Sequence, residues 1–178
     1  VEETGKSPTV MFHGTSGGTD IVGKIYPNTG YDHSTRETFD IGRDKGFANE
    51  VKVYHRVRDN IRINWCYKPG VDYFIQYKRI CIISPTELCQ FIGDPCRIVM
   101  EEIQDRLLLP KGKSVIEYGV LLLHKAPEGH RPLWKFLKDT KIEHTEKLKV
   151  FLKICIATQE LHNLNIAHND LHSNNILI

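Results

Sequence analysis

The sequence has no long apolar run and no excess of one charge, and these absences restrict the partners that it can have. Its longest apolar runs fall far below the roughly 18 residues of a membrane-spanning helix, so we expect no membrane partner. The 24 basic and 22 acidic side chains give a formal net charge of +2, which provides no electrostatic footprint for nucleic acid. The basic residues between Lys45 and Arg62 alternate with apolar ones, which indicates a solvated helix face, and we expect no nucleic-acid partner.

The sequence also lacks any Cys-x-x-Cys pair, and its five cysteines are scattered. An odd number at irregular spacing predicts neither a disulfide framework nor a zinc site, and it favours a reducing compartment. We therefore expect a cytoplasmic or nuclear protein. The chain begins at Val1 without an initiator Met and ends abruptly at Ile178, so we also expect a fragment or a processed chain.

Hydrophobic periodicity predicts an α+β fold in which strands precede a largely helical region. Apolar residues at steps of three and four predict a helix at 47–61, with Asp44 as its N-cap. A second helix, at 143–162, carries two apolar faces and is therefore expected to be buried on most sides. The remaining predicted elements are strands at 9–12, 21–26, 73–83, 97–103 and 118–123, a loop at 28–42 and a short helix at 132–139.

The end of the chain contains the most informative spacing. Asp170 is followed five positions later by Asn175, between an apolar helix and the apolar residues Ile176 to Ile178. A carboxylate in such a loop can accept a proton from a substrate hydroxyl, and an amide oxygen can hold a metal ion that bridges nucleotide phosphates. The competing interpretation is an ordinary turn rich in Asn and Asp.

The pattern His-x-Asp-Leu-x-x-x-x-Asn-Ile-Leu at 168–177 resembles the catalytic loop of the protein-kinase-like superfamily. This superfamily also includes small-molecule kinases of the aminoglycoside phosphotransferase type. The resemblance implies that Asp170 is the catalytic carboxylate, that Asn175 is the metal-binding amide, and that His168 braces the loop backbone. It extends over roughly residues 14–178 and is strongest in the last part of the chain.

Two positions of the loop depart from the pattern of many protein kinases. Asn169 stands where those kinases have the Arg that reads a phosphorylated activation loop. His172 stands where protein Ser/Thr kinases have a Lys that stabilises the transferring phosphate, and a neutral imidazole provides less charge than an ammonium. We therefore expect either slow turnover or a different cation at this place.

Residues 118–129, followed by an apolar segment at 133–137, resemble the kinase passage from a buried strand through a hinge to a helix. The resemblance implies that Leu123 limits the depth of an adenine pocket. His124 would then offer its carbonyl to the base, and Ala126 its N–H and carbonyl. A rival hinge lies at 99–103, and the plainest interpretation of 118–129 is a core strand followed by a turn.

The helix at 47–61 resembles the kinase helix whose Glu orients a phosphate-binding Lys. Glu50 is the candidate for this Glu, and Lys24, on the strand at 21–26, is the candidate for the Lys. An ammonium directed at phosphates needs a carboxylate partner that fixes its rotamer. The alternatives are that both are solvated surface charges, or that Lys45 takes the place of Lys24.

Three glycines precede Lys24 and could form a phosphate-covering loop. Gly14, Gly17 and Gly18 would let backbone N–H groups approach phosphate oxygens without a Cβ clash. Their spacing is not G-x-G-x-x-G, and an ordinary hairpin turn is the alternative.

The resemblance implies three segments: a kinase-like amino-terminal lobe with an antiparallel sheet and one helix at 1–123, a hinge at 124–131, and the start of a helical lobe at 132–178. The resemblance also implies that the half with the Asp-Phe-Gly element is missing from this chain, and we therefore expect an incomplete catalytic domain. We expect an ATP- and Mg-dependent phosphotransferase that acts on Ser or Thr hydroxyls of a protein substrate. The alternatives are a truncated kinase-like module that binds a nucleotide or a partner protein without catalysis, and a small-molecule kinase.

Overall fold

A computed structural model describes residues 8–42, 46–63, 77–126 and 128–178 of the chain. These residues form five strands and five helices, which confirms the predicted α+β class. The strands are β1 Val10–Ser16, β2 Thr19–Asp32, β3 Glu37–Asp40, β4 Tyr77–Ile83 and β5 Lys113–His124, and the helices are α1 Phe47–Ile63, α2 Pro85–Ile92, α3 Cys96–Leu107, α4 Leu133–Lys138 and α5 His144–Asn163. None of these helices is both long and apolar enough to cross a membrane.

The described residues divide into two compact units. One lies within Val1–Tyr54 and Gln76–Lys125, and the other within His55–Ile75 and Ala126–Ile178. A boundary between the units therefore falls between Lys125 and Ala126, inside the segment predicted as a hinge. The first unit contains the sheet, and the second contains α4, α5 and the loop that follows α5.

The sheet of the first unit is antiparallel, with the strand order β1-β2-β5-β4 and with β3 added to the far end of β2. The long strand β2 pairs with β5 from Ile21 opposite His124 to Asp32 opposite Lys113. The prediction of a loop at 28–42 is therefore wrong, because β2 continues to Asp32 and β3 follows. Polar, turn-forming residues suggested a loop, but pairing with strands distant in sequence outweighs local preference in sheets.

One face of the sheet packs against α2 and α3. Alternate residues of a strand point to opposite faces, and Ile25 of β2 and Leu122 of β5 belong to the same buried cluster as Leu88 of α2 and Ile103 of α3. Leu88 and Ile103 have no exposed surface. Helices α2 and α3 therefore attach to the sheet through buried apolar side chains.

Helix α3 occupies the range 97–103 that was predicted as a strand, so that prediction is wrong. Its β-branched residues suggested a strand, but the buried positions Cys96 and Ile103 lie seven residues apart on one helical face. Helix α2, which was not predicted, begins with Ser84 as N-cap. The Ser84 hydroxyl accepts the Glu87 N–H while the Glu87 carboxylate accepts the Ser84 N–H, a reciprocal arrangement that stabilises a helix start.

Cys89 of α2 and Cys96 of α3 form a disulfide bond. The sequence predicted no disulfide framework, and that prediction missed this pair. The two residues are seven positions apart, on either side of the turn that joins the two helices. The packing of α2 beside α3 brings them together, and irregular spacing along the sequence gave no sign of that packing.

The other face of the sheet packs against α1, which confirms the helix predicted at 47–61. Tyr26 of β2 and Leu121 and Leu123 of β5 form a buried cluster with Phe47, the first residue of α1. The Phe47 ring lies over Gly119 of β5, where an added Cβ would come within 2.5 Å of the ring atoms. This close approach sets the distance between α1 and the sheet.

We expect Gly119→Ala to lower the free energy of unfolding by about 1–3 kcal/mol, because a new methyl group overpacks the core under a ring that is 4% exposed. Denaturant unfolding measures the effect. Gly14→Ala is a matched control, because a Cβ there would meet only Phe12, at 4.0 Å. Equal stability of the two variants would contradict the packing of Phe47 on Gly119.

The turn after β2 depends on the Asp32 carboxylate. This group accepts hydrogen bonds from the Ser34 hydroxyl and the Ser34 N–H, at 2.5 and 2.9 Å, and it faces the Lys113 ammonium at 3.3 Å. The two hydrogen bonds from Ser34, with a smaller contribution from Lys113, outweigh the opposing effect of desolvation and hold the pKa of Asp32 well below its usual range. A depressed pKa in the folded state means that the charged form stabilises the fold.

The contribution of Asp32 should therefore be complete above its ordinary pKa of about 4 and disappear as the pH falls below that value. We expect the native chain to be more stable than Asp32→Ala at pH 7, and the difference to shrink between about pH 4 and pH 2. Unfolding midpoints at several pH values measure this. A difference in stability between the native chain and Asp32→Ala that stayed constant across this range would contradict the assignment.

Helix α5 of the second unit confirms the predicted helix but not its predicted burial. Leu148, Phe151 and Leu152 are more than half exposed, and Leu161 is the one buried residue of the helix. Apolar residues at helical spacing indicate a helix face that another part of a protein can pack against, but they do not show that such packing occurs. Within the described part of its own unit, nothing covers this face.

Candidate functional site

The structure brings Lys24 and Glu50 together. Lys24 lies on the face of β2 that carries Tyr26, and Glu50 lies in the first turn of α1, three residues after the buried Phe47. The Lys24 Nζ and Glu50 Oε1 atoms are 2.5 Å apart, and the two side chains are 25% and 26% exposed. The pair is mostly shielded from solvent, so the alternative of two solvated surface charges does not describe it, and the role of both residues in nucleotide binding stays a prediction. The alternative Lys45 lies outside the described residues, as does the predicted N-cap Asp44.

Sequence reasoning missed a third member of this cluster, Tyr26. Its hydroxyl donates a hydrogen bond to Glu50 Oε2. Burial, followed by the Glu50 charge, raises the pKa of Tyr26 above its ordinary value, so the hydroxyl stays protonated at neutral pH. The sequence feature that could have identified Tyr26 was its position two residues after Lys24, because residues i and i+2 of a strand share a face.

The glycines form a tight hairpin between β1 and β2. Ser16 pairs with Thr19, and Gly17 and Gly18 between them have φ values of 60° and 74°, which two-residue hairpin turns require and glycine adopts without strain. Gly14 lies within β1, opposite Ile21. The hairpin interpretation therefore describes the backbone here, and a phosphate-covering role for the three glycines stays a prediction.

The three residues predicted to line an adenine pocket lie at the end of β5 and just after it, and their binding role stays a prediction. Leu123 is 4% exposed, His124 is the exposed last residue of the strand, and Ala126 follows it at intermediate exposure. The Lys125 N–H donates to the Asp20 carbonyl at 3.3 Å. Within the described ranges, the N–H and carbonyl of Ala126 make no backbone hydrogen bond, so both could pair with a base. The rival hinge at 99–103 is wrong, because those residues lie inside α3.

Two left-handed residues shape the loop after α5. Asn165 and Asn169 have φ values of 54° and 57°, a conformation that Asn tolerates better than most residues. Ile166, between them, is buried, and its N–H donates to the Leu161 carbonyl at 2.9 Å, which anchors the loop to the end of α5. His168 Nδ1 accepts the Asp170 N–H at 3.3 Å. The role of His168 in bracing the loop backbone stays a prediction.

Asp170 and Asn175 are in direct contact. The Asn175 Nδ2 atom lies 2.7 Å from Asp170 Oδ2 and 3.0 Å from the Asp170 carbonyl oxygen. These two hydrogen bonds use the amide NH₂ group. Within the described residues, the Asn175 Oδ1 atom makes no hydrogen bond, so it remains available as an acceptor or a metal ligand.

His172 lies beside the same carboxylate. Its Nε2 atom is 3.5 Å from Asp170 Oδ1, and its Nδ1 atom accepts the Asn174 N–H at 3.2 Å. A neutral imidazole whose Nδ1 accepts a hydrogen bond carries its proton on Nε2. His172 therefore presents a donor to Asp170 and supplies no fixed positive charge in its neutral form.

The second half of the loop is held by the segment before α4. Arg131 and Ile178 exchange two backbone hydrogen bonds, of 2.8 and 2.9 Å. The Leu133 N–H donates to the Ile176 carbonyl at 2.8 Å. Asp170 and Asn175 thus lie between two anchors, at Ile166 and at Ile176, and this restrains the loop that joins them.

The donor atoms of this loop suit Mg²⁺, which prefers oxygen ligands from carboxylates and amides and keeps several waters. The Asp170 side chain is 73% exposed, so its oxygens are accessible to a hydrated ion. Asn175 Oδ1 is the predicted metal ligand, and Asp170 is the predicted catalytic carboxylate beside it.

Comparison of the chain with protein-family models, with curated proteins and with solved structures found no match.

Proposed function

We propose that this protein is an ATP-dependent phosphotransferase that transfers the γ-phosphoryl group to a Ser or Thr hydroxyl of a protein substrate. The observation that carries the proposal is the contact of Asn175 with Asp170, because it leaves a carboxylate and an amide oxygen exposed in one restrained loop. Phosphoryl transfer requires a group that orients the nucleophile and oxygens that hold the metal.

The sheet unit supplies the groups that bind the nucleotide in this proposal. Lys24 pairs with the phosphates, and Glu50 keeps its ammonium in place, as their 2.5 Å contact supports. The adenine base lies at the end of β5, against Leu123, and pairs with backbone groups of His124 and Ala126. The hairpin glycines contribute backbone N–H groups to the phosphates.

The loop after α5 supplies the groups that act on the acceptor. Asp170 accepts the proton of the attacking hydroxyl, and Asn175 Oδ1 is the ligand for Mg²⁺. The metal, when bound, neutralises charge on the phosphates. His172 replaces the usual Lys, so this protein should stabilise the transferring phosphate less than kinases with an ammonium there.

The test combines binding with transfer. Calorimetry with ATP and Mg²⁺ should show saturable binding, and incubation with γ-labelled ATP should label casein or histone on Ser or Thr. An absence of both binding and transfer would overturn the proposal. Labelling of an aminoglycoside in place of a protein would instead support the small-molecule kinase alternative suggested by the Asp170-Leu171-His172 sequence.

A second candidate is a kinase-like module that binds nucleotide or a partner protein without catalysis. The exposed apolar face of α5, formed by Leu148, Phe151 and Leu152, favours this candidate, because contiguous exposed apolar surface marks interaction sites. The same experiment separates the two candidates. Binding of ATP without phosphate transfer to any acceptor supports the second.

A further inference from the structure

The Glu50 carboxylate has a separate donor for each of its oxygens. Oε1 faces the Lys24 ammonium at 2.5 Å, and Oε2 accepts the Tyr26 hydroxyl. The two donors come from one face of β2, while the carboxylate comes from α1. Three side chains therefore fix the position of α1 relative to the strand, and two of them already have roles in the proposed function.

The Tyr26 hydroxyl occupies a fixed position. Its residue is 3% exposed, and its ring centroid lies 5.3 Å from that of Phe47. Packing on both the sheet and α1 thus determines where the hydroxyl points. A neutral donor of this kind holds a carboxylate without adding positive charge that would compete with Lys24 for a phosphate.

A partly buried carboxylate that loses its only hydrogen-bond or ion-pair partner is destabilised, because its charge is left unpaired away from water. If Lys24 were the sole donor to Glu50, each approach of the ammonium to a phosphate would carry this penalty. A second donor removes the conflict, because Glu50 keeps a hydrogen bond while Lys24 divides its own hydrogen bonds between carboxylate and phosphate.

We propose that Tyr26 is a positioning residue, which holds Glu50 beside Lys24 and so lets the Lys24 ammonium serve a nucleotide phosphate. This role rests on the proposed function in one respect, the identity of the phosphate ligand. The hydrogen-bonded arrangement of Tyr26, Glu50 and Lys24 exists without a ligand, and this makes the inference testable by itself.

The binding test compares ATP with adenosine in the native chain and in Tyr26→Phe. Loss of a hydrogen bond to a charged group corresponds to about a tenfold loss of affinity. We expect this loss for ATP and no change for adenosine, which has no phosphate to meet Lys24. If Tyr26 acted only in packing, Tyr26→Phe would lower the affinities for ATP and for adenosine equally, and that result would overturn the proposal.

Tyr54→Phe is the matched control, because it removes the hydroxyl of a partly buried tyrosine on α1 that packs against the same cluster as Tyr26. Burial, followed by the Glu50 charge, raises the pKa of Tyr54, but within the described residues no hydrogen bond joins Tyr54 to Glu50. This variant should bind ATP like the native chain. In a Glu50→Ala background, which removes the acceptor of both donors, Tyr26→Phe should cause no further loss, and a further tenfold loss there would overturn the proposal.

A ligand-free measurement separates failure of this inference from failure of the proposed function. An ion-paired lysine ammonium exchanges its protons slowly enough to be observed by nitrogen NMR. We expect the Lys24 Nζ signal in the native chain and in Tyr54→Phe, and its loss in Tyr26→Phe. If the native chain binds no ATP, the proposed function fails, and the Lys24 Nζ signal alone tests the positioning role of Tyr26. Loss of this signal in Tyr26→Phe supports the role. Retention of the signal in Tyr26→Phe overturns it.

Discussion

Asp170→Asn should lower the rate of phosphate transfer by a factor of about 10²–10⁴, the usual contribution of a positioned general base. The amide that replaces the carboxylate cannot accept the proton of a substrate hydroxyl. The new side chain keeps an oxygen that can accept the Asn175 amide, which lies 2.7 Å from Asp170 Oδ2. The loop should therefore stay folded, and the affinity for ATP should change little, as single-turnover transfer and calorimetry on the same preparation would measure.

Asp94→Asn makes the same chemical change in the exposed turn between α2 and α3, and it should leave both transfer and binding unchanged. Near-native turnover of Asp170→Asn would show that the catalytic assignment is wrong. Equal losses of ATP affinity and turnover would instead indicate that Asp170 acts mainly in binding.

Lys24→Met should lower kcat/KM for ATP by a factor of about 10²–10³, the range found when one charged or polar stabilising group is removed. Methionine keeps the length of the apolar stem but cannot pair with phosphate. Tyr26 still donates to Glu50, so the carboxylate retains a partner and the fold should survive. The affinity for adenosine should be unaffected, because the loss concerns the phosphates alone.

Lys113→Met is the control for this variant. Lys113 is also an ion-paired lysine on the sheet, but it pairs with Asp32, 3.3 Å away, at the other end of β5. We expect it to bind and turn over ATP like the native chain. Similar losses of kcat/KM in Lys24→Met and Lys113→Met would indicate that removing any lysine charge from the sheet has this effect. That result would contradict a specific role for Lys24.

Asp170→Asn and Lys24→Met should affect different steps, namely phosphate transfer and ATP binding. Asp170→Asn should reduce transfer while ATP still binds, and Lys24→Met should reduce the binding of ATP but not that of adenosine. A binding module without catalysis would show the second of these effects and no transfer in any variant.

The elements that the sequence predicted well are those with strong local patterns. The apolar spacing from Phe47 onward indicated α1, and a bounded apolar run indicated β5. Both patterns depend on residues close together in the chain, where the period of the backbone decides which side chains share a face. The motif at 168–177 likewise lies in one loop, and it singled out Asp170 and Asn175, which the structure places in contact.

The wrong predictions involve residues whose neighbours are distant in sequence. β-branched residues suggested a strand where α3 forms, because the burial of Ile103 against the sheet outweighs weak strand preference. Polar residues suggested a loop where β2 continues to Asp32. The two apolar faces of α5 predicted burial that its described neighbours do not provide.

The sequence by itself determined the α+β class, the α1 helix, the buried strand β5 and the loop that carries Asp170 and Asn175, because each depends on spacing within a few residues. Only the tertiary structure decided that Cys89 pairs with Cys96 and that Tyr26 shares Glu50 with Lys24. Those contacts follow from how strands and helices pack, and packing joins residues whose separation along the chain carries no local signal.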